Sequence, residues 1–402
     1  AMIFFLIRTG HARRRVALPF ARMITACAAA SLAFSAAAAD RNVALKRLGN
    51  HYIASGQADG LSMAIIANGK VRFLNFGTTS QATAQPPTRH SVYEIGSVTK
   101  VFTSLLLAQA IVEGRVGLND DIRQHLPGHY PNLEQQGVPV RLVHLAETTS
   151  GLPDNIPDLA PLLQQAGPDR APFLIADRWK EYSTADLLSE LRSVTLANTP
   201  GSVTRHSNVA AVVLAAILER TYGEPYEKLV ARYIEVPFGM KAGSGNARAA
   251  KRVPGQNANR LTMPKIEGRY ILPAGGLRYS SADLARFVQA QLNRQTAAVR
   301  LSQQGTGGGQ PATLGFNWHI APGTNGGRVL RASGSTFGSS SYVEVRPDEG
   351  CGLVLLTNRS GAESALYILA AAALQHGICS RLGPRQPTAP RASKADSTGA
   401  IR

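Results

Sequence analysis

The sequence predicts an α+β fold: one antiparallel sheet, assembled from both chain ends and flanked by terminal helices, with an inserted and mostly helical lobe. Three observations point there. Strand patterns occur as a pair near the front and as a group of three or four at the back, and helical periodicity fills the stretch between them. The composition is that of a globular chain, 402 residues of which 44% are hydrophobic and 17% charged. An α/β lobe over about residues 40–95 and 295–380, with a helical lobe over about 96–294, divides the chain accordingly.

Taken in order, residues 1–39 read as an export signal. Arg13, Arg14 and Arg15 precede an Ala-rich apolar run from Met23 to Ala39 that ends in small residues, which suits cleavage near Ala39 and a mature start at Asp40. Translation from Met23 is an alternative start, and Ile24-Thr25-Ala26-Cys27 offers a weaker, lipoprotein-type cleavage site. Val43 to Ala54 follows as a helix. Leu61 to Ala67 and Val71 to Phe76 are strands joined at Asn68-Gly69, a strong hairpin signal. Ser97 to Glu113 has apolar residues at helical spacing (Val101, Leu105, Ala108, Val112), and Asn208 to Arg220 and Ser281 to Leu292 are further helices. Strands return at Gly315 to Ile320, Arg328 to Ala332, Ser341 to Arg346 and Gly352 to Asn358, before a last helix over Ala362 to His376. Gly305 to Gly309 opens no helix after a strand, so it reads as a surface loop rather than a phosphate loop. The Pro-, Ser- and Ala-rich residues of 381–402 read as a disordered basic tail.

Charge excludes less than it first promises. Lys and Arg outnumber Asp and Glu by 43 to 26, a net +17, which raises the question of a polyanionic partner. However, residues 1–39 hold five Arg and no acid, and residues 381–402 hold four Arg, one Lys and one Asp, leaving +8 on the body. No basic run is interleaved with aromatics, so nucleic acid is not an expected partner. Val209 to Leu218 is only a ten-residue apolar run, too short for a membrane span. The expectation is a periplasmic or secreted protein acting as a monomer.

Cys351 and Cys379 remain after the signal. Seven strand residues rise about 23 Å and fifteen helical residues about 22 Å, so a final helix folding back along its strand ends near the strand's start. That geometry brings the two thiols together, and in an oxidising compartment it favours a disulfide over two separate buried thiols.

The sharpest chemical feature is Glu94-Ile95-Gly96-Ser97-Val98-Thr99-Lys100. Ser and Lys three apart at a helix start share one face, where the amine can reach the hydroxyl and backbone N–H groups can face a developing oxyanion. A desolvated lysine can titrate low enough to serve as the base that serine requires. Spacing alone equally describes an ordinary capped helix, and context decides.

Glu94 to Thr103 resembles the first box of the serine β-lactamase-like hydrolases, the branch of class C β-lactamases, DD-peptidases and family VIII esterases. Thr149-Ser150-Gly151-Leu152-Pro153 resembles the loop before the second box, and Arg205-His206-Ser207-Asn208 resembles the second box itself. Val236-Pro237-Phe238-Gly239-Met240 and Gly275-Gly276-Leu277 resemble two later family segments. Gly334-Ser335-Thr336-Phe337-Gly338 to Tyr342 resembles the third-box strand, with Leu355 to Asn358 after it. The resemblance covers about residues 43–378. It implies an acyl-enzyme at Ser97, with Lys100 as base and the N–H groups of Ser97 and Ser335 as oxyanion hole. Asn208 would bond Lys100 or a substrate amide, and Asn155, Ser333 and Gly334 would contact substrate. No cofactor or metal is implied.

Two departures qualify the resemblance. His206 stands where the family has a proton-shuttling Tyr; imidazole also exchanges protons near neutrality. Ala332 stands where the third box normally begins with Lys or His, and a methyl group cannot hold a carboxylate. Arg331 would replace that cation only if the strand end were twisted or bulged. The expected activity is hydrolysis of D-amino-acid peptide amides or β-lactams, on a small-molecule or peptidoglycan-peptide substrate. The alternatives are a carboxylesterase and a catalytically impaired binding or regulatory homologue.

Overall fold

The computed structural model describes residues 40–82, 84–241, 252–306, 314–323 and 326–379. The expected signal, the expected tail and the Gly-rich stretch beyond Thr306 lie outside them. Helix α1 (residues 40–54) leads into β1 (Gly60–Ala67), β2 (Lys70–Gly77) and the short β3 (Val92–Glu94). A 3-10 turn (Gly96–Val98) opens α2 (Thr99–Val112). A small hairpin, β4 (Glu134–Gln135) with β5 (Val138–Pro139), precedes α3 (Leu142–Ala146), α4 (Ala160–Glu181), α5 (Thr184–Glu190), α6 (Asn208–Tyr222), α7 (Tyr226–Val230) and α8 (Val236–Phe238). After the turn Leu272–Gly276, β6 (Arg278–Ser280) pairs with β3, and α9 (Ser281–Leu292) and α10 (Ala297–Ser302) follow. The chain then returns to the sheet through β7 (Leu314–Gly315), β8 (Trp318–Pro322), β9 (Arg328–Ser335), β10 (Ser340–Arg346) and β11 (Cys351–Thr357), and α11 (Glu363–Gln375) packs back on it.

The main sheet has the order β2-β1-β11-β10-β9-β8-β7, antiparallel throughout. The first and last described strands therefore pair with each other inside the sheet, where β1 lies beside β11 from Leu61 opposite Thr357 to Ala67 opposite Cys351. Asn68 and Gly69 both take positive φ, 52° and 73°, as a two-residue hairpin turn requires.

Strand periodicity assigns the two faces. Leu61, Met63 and Ile65 of β1, with Leu353 and Leu355 of β11, pack in one apolar cluster with Leu45 and Tyr52 of α1 and Leu366, Leu369 and Ala373 of α11. Ala64, Ile66, Val354 and Leu356 point the other way, into the larger cluster that includes α2, α6 and α9. A strand buried on both faces reads as a nearly continuous apolar run, as Leu353 to Leu356 does. Within this frame α2 is buried along most of its length, so the segment bearing Ser97 and Lys100 is held from all sides.

One expectation needs correction, one helix goes unread, and one condition is unmet. Gly315 to Ile320 is not one strand: Phe316 and Asn317 take φ of 50° and 62° and fold it into the β7-β8 hairpin. Phe is rare at positive φ, which is why the turn is hidden. Helix α4 is absent from the sequence reading because Pro168 and Pro172 interrupt its pattern, and the chain breaks there at Gly167, with φ 70° and ψ 171°. Arg331 does not take the place of the missing third-box cation. The β9-β10 register is regular through Arg331 opposite Glu344, so the Arg331 side chain lies on the face opposite Ala332, bonded to Glu344 at 3.1 Å.

Cys351 and Cys379 form a disulfide, with Cα atoms 5.3 Å apart. It ties the segment after α11 to the start of β11, across 28 residues of sequence. Closing a loop of that length contributes about 3–4 kcal/mol in the chain-entropy account. Cys351→Ser, or reduction, should lower the midpoint of thermal unfolding by about 5 °C; calorimetry showing the same midpoint with and without reductant would contradict this.

Candidate active site

The site forms where three distant segments converge on the start of α2. Ile95 N–H donates to Leu277 O at 3.1 Å, Thr103 Oγ1 donates to Pro273 O at 2.7 Å, and Leu277 N–H donates to Thr99 Oγ1 at 3.3 Å. These bonds zip the turn Leu272–Gly276 against α2 and present Ala274 O to Lys100. The second-box segment is stapled to the loop before it. Arg205 N–H donates to Thr148 O at 2.8 Å, Ser207 Oγ donates to Pro153 O at 2.7 Å, and Asn208 N–H donates to Asp154 O at 2.9 Å. Ser207 Oγ also caps α6 by accepting from Ala210 N–H at 3.0 Å. One serine thus fixes both the start of the helix and the loop beneath it.

The third segment is the end of β9. Gly96 takes φ 51°, and a Cβ there would meet Ser335 O at 2.6 Å and Ser335 N at 2.7 Å. Conversely, a Cβ on Gly334 would meet Ser97 N at 2.5 Å and collide with Ile95 O. Two glycines back to back let the strand lie directly against the serine turn, which draws Ser97 and Ser335 backbones together as a pair of oxyanion donors requires.

Six side chains form a closed hydrogen-bonded ring in this junction. Lys100 Nζ lies 2.9 Å from Ser97 Oγ, 2.8 Å from Asn208 Oδ1 and 2.9 Å from Ala274 O. Asn208 Nδ2 donates to Asn155 Oδ1 at 3.0 Å, and Asn155 Nδ2 donates to Asp154 Oδ2 at 3.0 Å. Asp154 Oδ1 lies 2.6 Å from His206 Nδ1, and His206 Nε2 lies 3.4 Å from Ser97 Oγ. Lys100 is only 3% exposed. Burial pulls its amine down to about 7, against which the Asp154 charge pushes up. Burial raises the Asp154 carboxyl, but the His206 bond and charge, Lys100 and a backbone N–H outweigh it and hold it below the ordinary range.

A cleft of about 320 Å³ opens over this ring, lined by Ser97, Lys100, His206, Ala332, Ser333, Gly334 and Ser335 among others. Sequence reading placed Ser97, Lys100, His206 and Asn208 together, and all four meet. Asn155 is in the same cluster, with both ends of its amide used inside the ring. Ser333 and Gly334 form the strand wall. Asp154 and two acids of the cleft lining, Glu147 and Glu363, escaped the sequence reading. Asp154 lies 52 residues from His206, and its only signal was an imidazole that needs an acceptor behind Nδ1. Glu147 also lines the cleft, and burial raises its carboxyl to about 7.

A serine bonded to a buried lysine at a helix start, beneath the edge of an antiparallel sheet, defines a serine hydrolase. The sequence model of the Beta-lactamase family matches residues 45–377. The chain belongs to that family. It is 26% identical over 336 residues to the D-alanyl-D-alanine-carboxypeptidase/endopeptidase AmpH of Escherichia coli, spanning 78% of this chain and 83% of that one. It is 23% identical over 341 residues to a beta-lactamase of Pseudomonas fluorescens, spanning 75% and 88%. The beta-lactamase/D-alanine carboxypeptidase structure from Pseudomonas syringae superposes with a TM-score of 0.70 at 21% identity, covering 84% of this chain and 99% of that one.

The back-to-back glycines make a direct prediction. Gly334→Ala must move either β9 or the serine turn, so it should cost about 2 kcal/mol or more of stability. The exposed neighbour exchange Ser333→Ala should stay within about 0.5 kcal/mol. Chemical denaturation of both variants checks this, and equal stability would show that the two backbones are not in contact.

Proposed function

We propose that the protein is an exported hydrolase that forms an acyl-enzyme at Ser97 and acts on D-amino-acid peptide amides or β-lactams. The observation that carries this reading is the 2.9 Å contact between Ser97 Oγ and an amine held near 7. A neutral Lys100 donates its two N–H bonds to Asn208 Oδ1 and Ala274 O, which aims the remaining lone pair at Oγ. The amine takes the serine proton as Oγ attacks the carbonyl, and the Ser97 and Ser335 N–H groups receive the oxyanion. The amine returns its proton to the leaving atom, and water then releases the acyl group. The substrate class follows the two named relatives and the family. The disulfide accords with export to an oxidising compartment.

A carboxylesterase is the second reading, and the cleft wall supports it. Ala332 is 4% exposed and faces the cleft, Arg331 is engaged with Glu344 on the other face, and Glu147 and Glu363 line the pocket. Among the described lining residues, Lys100 is the only Lys or Arg. A substrate carboxylate therefore finds no arginine there, whereas a neutral ester needs none.

Incubation with a fluorescent penicillin, a D-Ala-D-Ala-terminated peptide and para-nitrophenyl acetate separates these readings. Acylation or turnover lost in Ser97→Ala supports the hydrolase. Ester turnover without penicillin labelling or peptide cleavage selects the esterase, and no reaction of folded protein with any of the three selects a binding homologue.

The lysine sets the pH dependence. Its unprotonated form is the base, so the acylation rate should be level above about pH 7 and fall about tenfold per unit below it. A stopped-flow acylation profile that stays flat from pH 5 to about 8 would exclude Lys100 as the base.

A further inference from the structure

The second-box histidine is not a bare substitute for a tyrosine. His206 is half-exposed on the cleft side of Ser97, its Nδ1 lies 2.6 Å from Asp154 Oδ1, and its Nε2 faces Ser97 Oγ at 3.4 Å. Asp154 is itself fixed. Its Oδ2 accepts from Asn155 Nδ2, and its backbone carbonyl accepts the N–H groups of Asn208 and Val209. A carboxylate accepts and never donates, so it holds the imidazole with hydrogen on Nδ1 and leaves a bare Nε2 on the cleft side of the serine. Ser97, His206 and Asp154 thereby reproduce the serine–imidazole–carboxylate order of the triad hydrolases, inside a site that already has a Ser–Lys pair.

Burial divides the labour between the two bases. Lys100 lies beneath Ser97 at 3% exposure, whereas the side chains of His206 and Asp154 are 54% and 49% exposed. Water reaches an acylated Ser97 from the open cleft, where Nε2 stands. We infer that His206 is the general base of deacylation and that Asp154 is the positioning residue that keeps its Nε2 available. As the water oxygen bonds to the acyl carbon, its proton passes to Nε2. As the ester bond to Ser97 breaks, Nε2 returns that proton to Oγ, which restores the free hydroxyl and releases the acid. Lys100 remains the base of acylation. The inference rests on the Ser97 acyl-enzyme proposed above and adds to it the residues that empty it.

Asp154→Asn tests this. A carboxamide can donate to Nδ1 and so move the imidazole hydrogen to Nε2, leaving no lone pair for water. With para-nitrophenyl acetate, kcat should fall about 100-fold or more, while kcat/KM, which reports acylation when deacylation limits turnover, should stay within about threefold. Intact-mass measurement should find the acetyl adduct accumulating on the variant. In a His206→Tyr background Asp154→Asn should leave the deacylation-limited kcat unchanged and only move the acylation pH profile to lower pH, because its action on deacylation passes through the imidazole while its charge also acts on Lys100. Histidine ¹⁵N NMR of the unmodified protein supplies a readout independent of turnover: hydrogen on Nδ1 and a bare Nε2 in the parent, reversed in Asp154→Asn. The inference is overturned if kcat/KM falls with kcat and no adduct accumulates, if the loss of kcat in Asp154→Asn persists without His206, or if the parent carries its imidazole hydrogen on Nε2. A parent that never acylates Ser97 overturns the proposed function instead, and the NMR result still decides the role of Asp154.

Discussion

The constraint on which the rest of this structure depends is the burial of one amine. Lys100 sits in a nearly dry position with three acceptors around Nζ, and those acceptors come from residues 97, 208 and 274. An unpaired ammonium there would cost several kcal/mol. The chain must therefore bring α2, the start of α6 and the turn Leu272–Gly276 to one point before the amine can be buried at all. The apolar packing of α2 against α6 and α9 and the backbone bonds from residues 273 and 277 to that helix make the convergence rigid. The same burial that makes the position demanding brings the amine near neutrality, so the packing requirement and the chemical requirement are one.

The sheet supplies the fourth side. Within it β1 pairs with β11, and the disulfide joins the segment after α11 to the start of β11. Strand β10 pairs with β11 on one side and with β9 on the other, and the end of β9 touches the serine turn through Gly96 and Gly334. An oxyanion site made of one N–H from a helical turn and one from a strand works only if sheet and helix cannot slide, and a glycine on each side is what allows contact at backbone distance.

What was legible in the sequence followed from local rules. The hairpin at Asn68-Gly69, the double-faced strands, the Ser–Lys spacing and the Cys351–Cys379 proximity each depend on residues close in sequence or on simple lengths. What was not legible depended on tertiary context. Phe316 adopts a turn conformation its side chain disfavours, in a tight reversal where the neighbouring Asn317 backbone N–H reaches Ala146 O at 2.7 Å. The proline-bearing α4 keeps its helical segments by packing Ala171, Ile175 and Trp179 into the core. Asp154 pairs with a histidine 52 residues away, a relation that no periodicity carries. The question that finds it is chemical: a histidine used as a base needs something to fix its tautomer.

The two departures from the family pattern act in one electrostatic direction. Loss of the third-box cation at Ala332 removes a positive charge from the strand wall, and Arg331 cannot restore it, because the regular β9-β10 register commits its guanidinium to Glu344 on the far face. At the second box, a tyrosine would bring no charge, whereas the histidine comes with a carboxylate behind it at 2.6 Å. Glu147 and Glu363 add acidic groups to the lining. In a chain whose overall charge is +17, the described lining of this cleft thus holds one lysine against two glutamates. Charges on the cleft wall act on a substrate at short range and in a partly dry space, where they outweigh the more distant, solvent-screened arginines of the surface. In the readings proposed above, a substrate carboxylate near the reacting carbonyl would meet the Ala332 methyl where the family pattern offers a cation, whereas a neutral acyl group would lose nothing by that exchange.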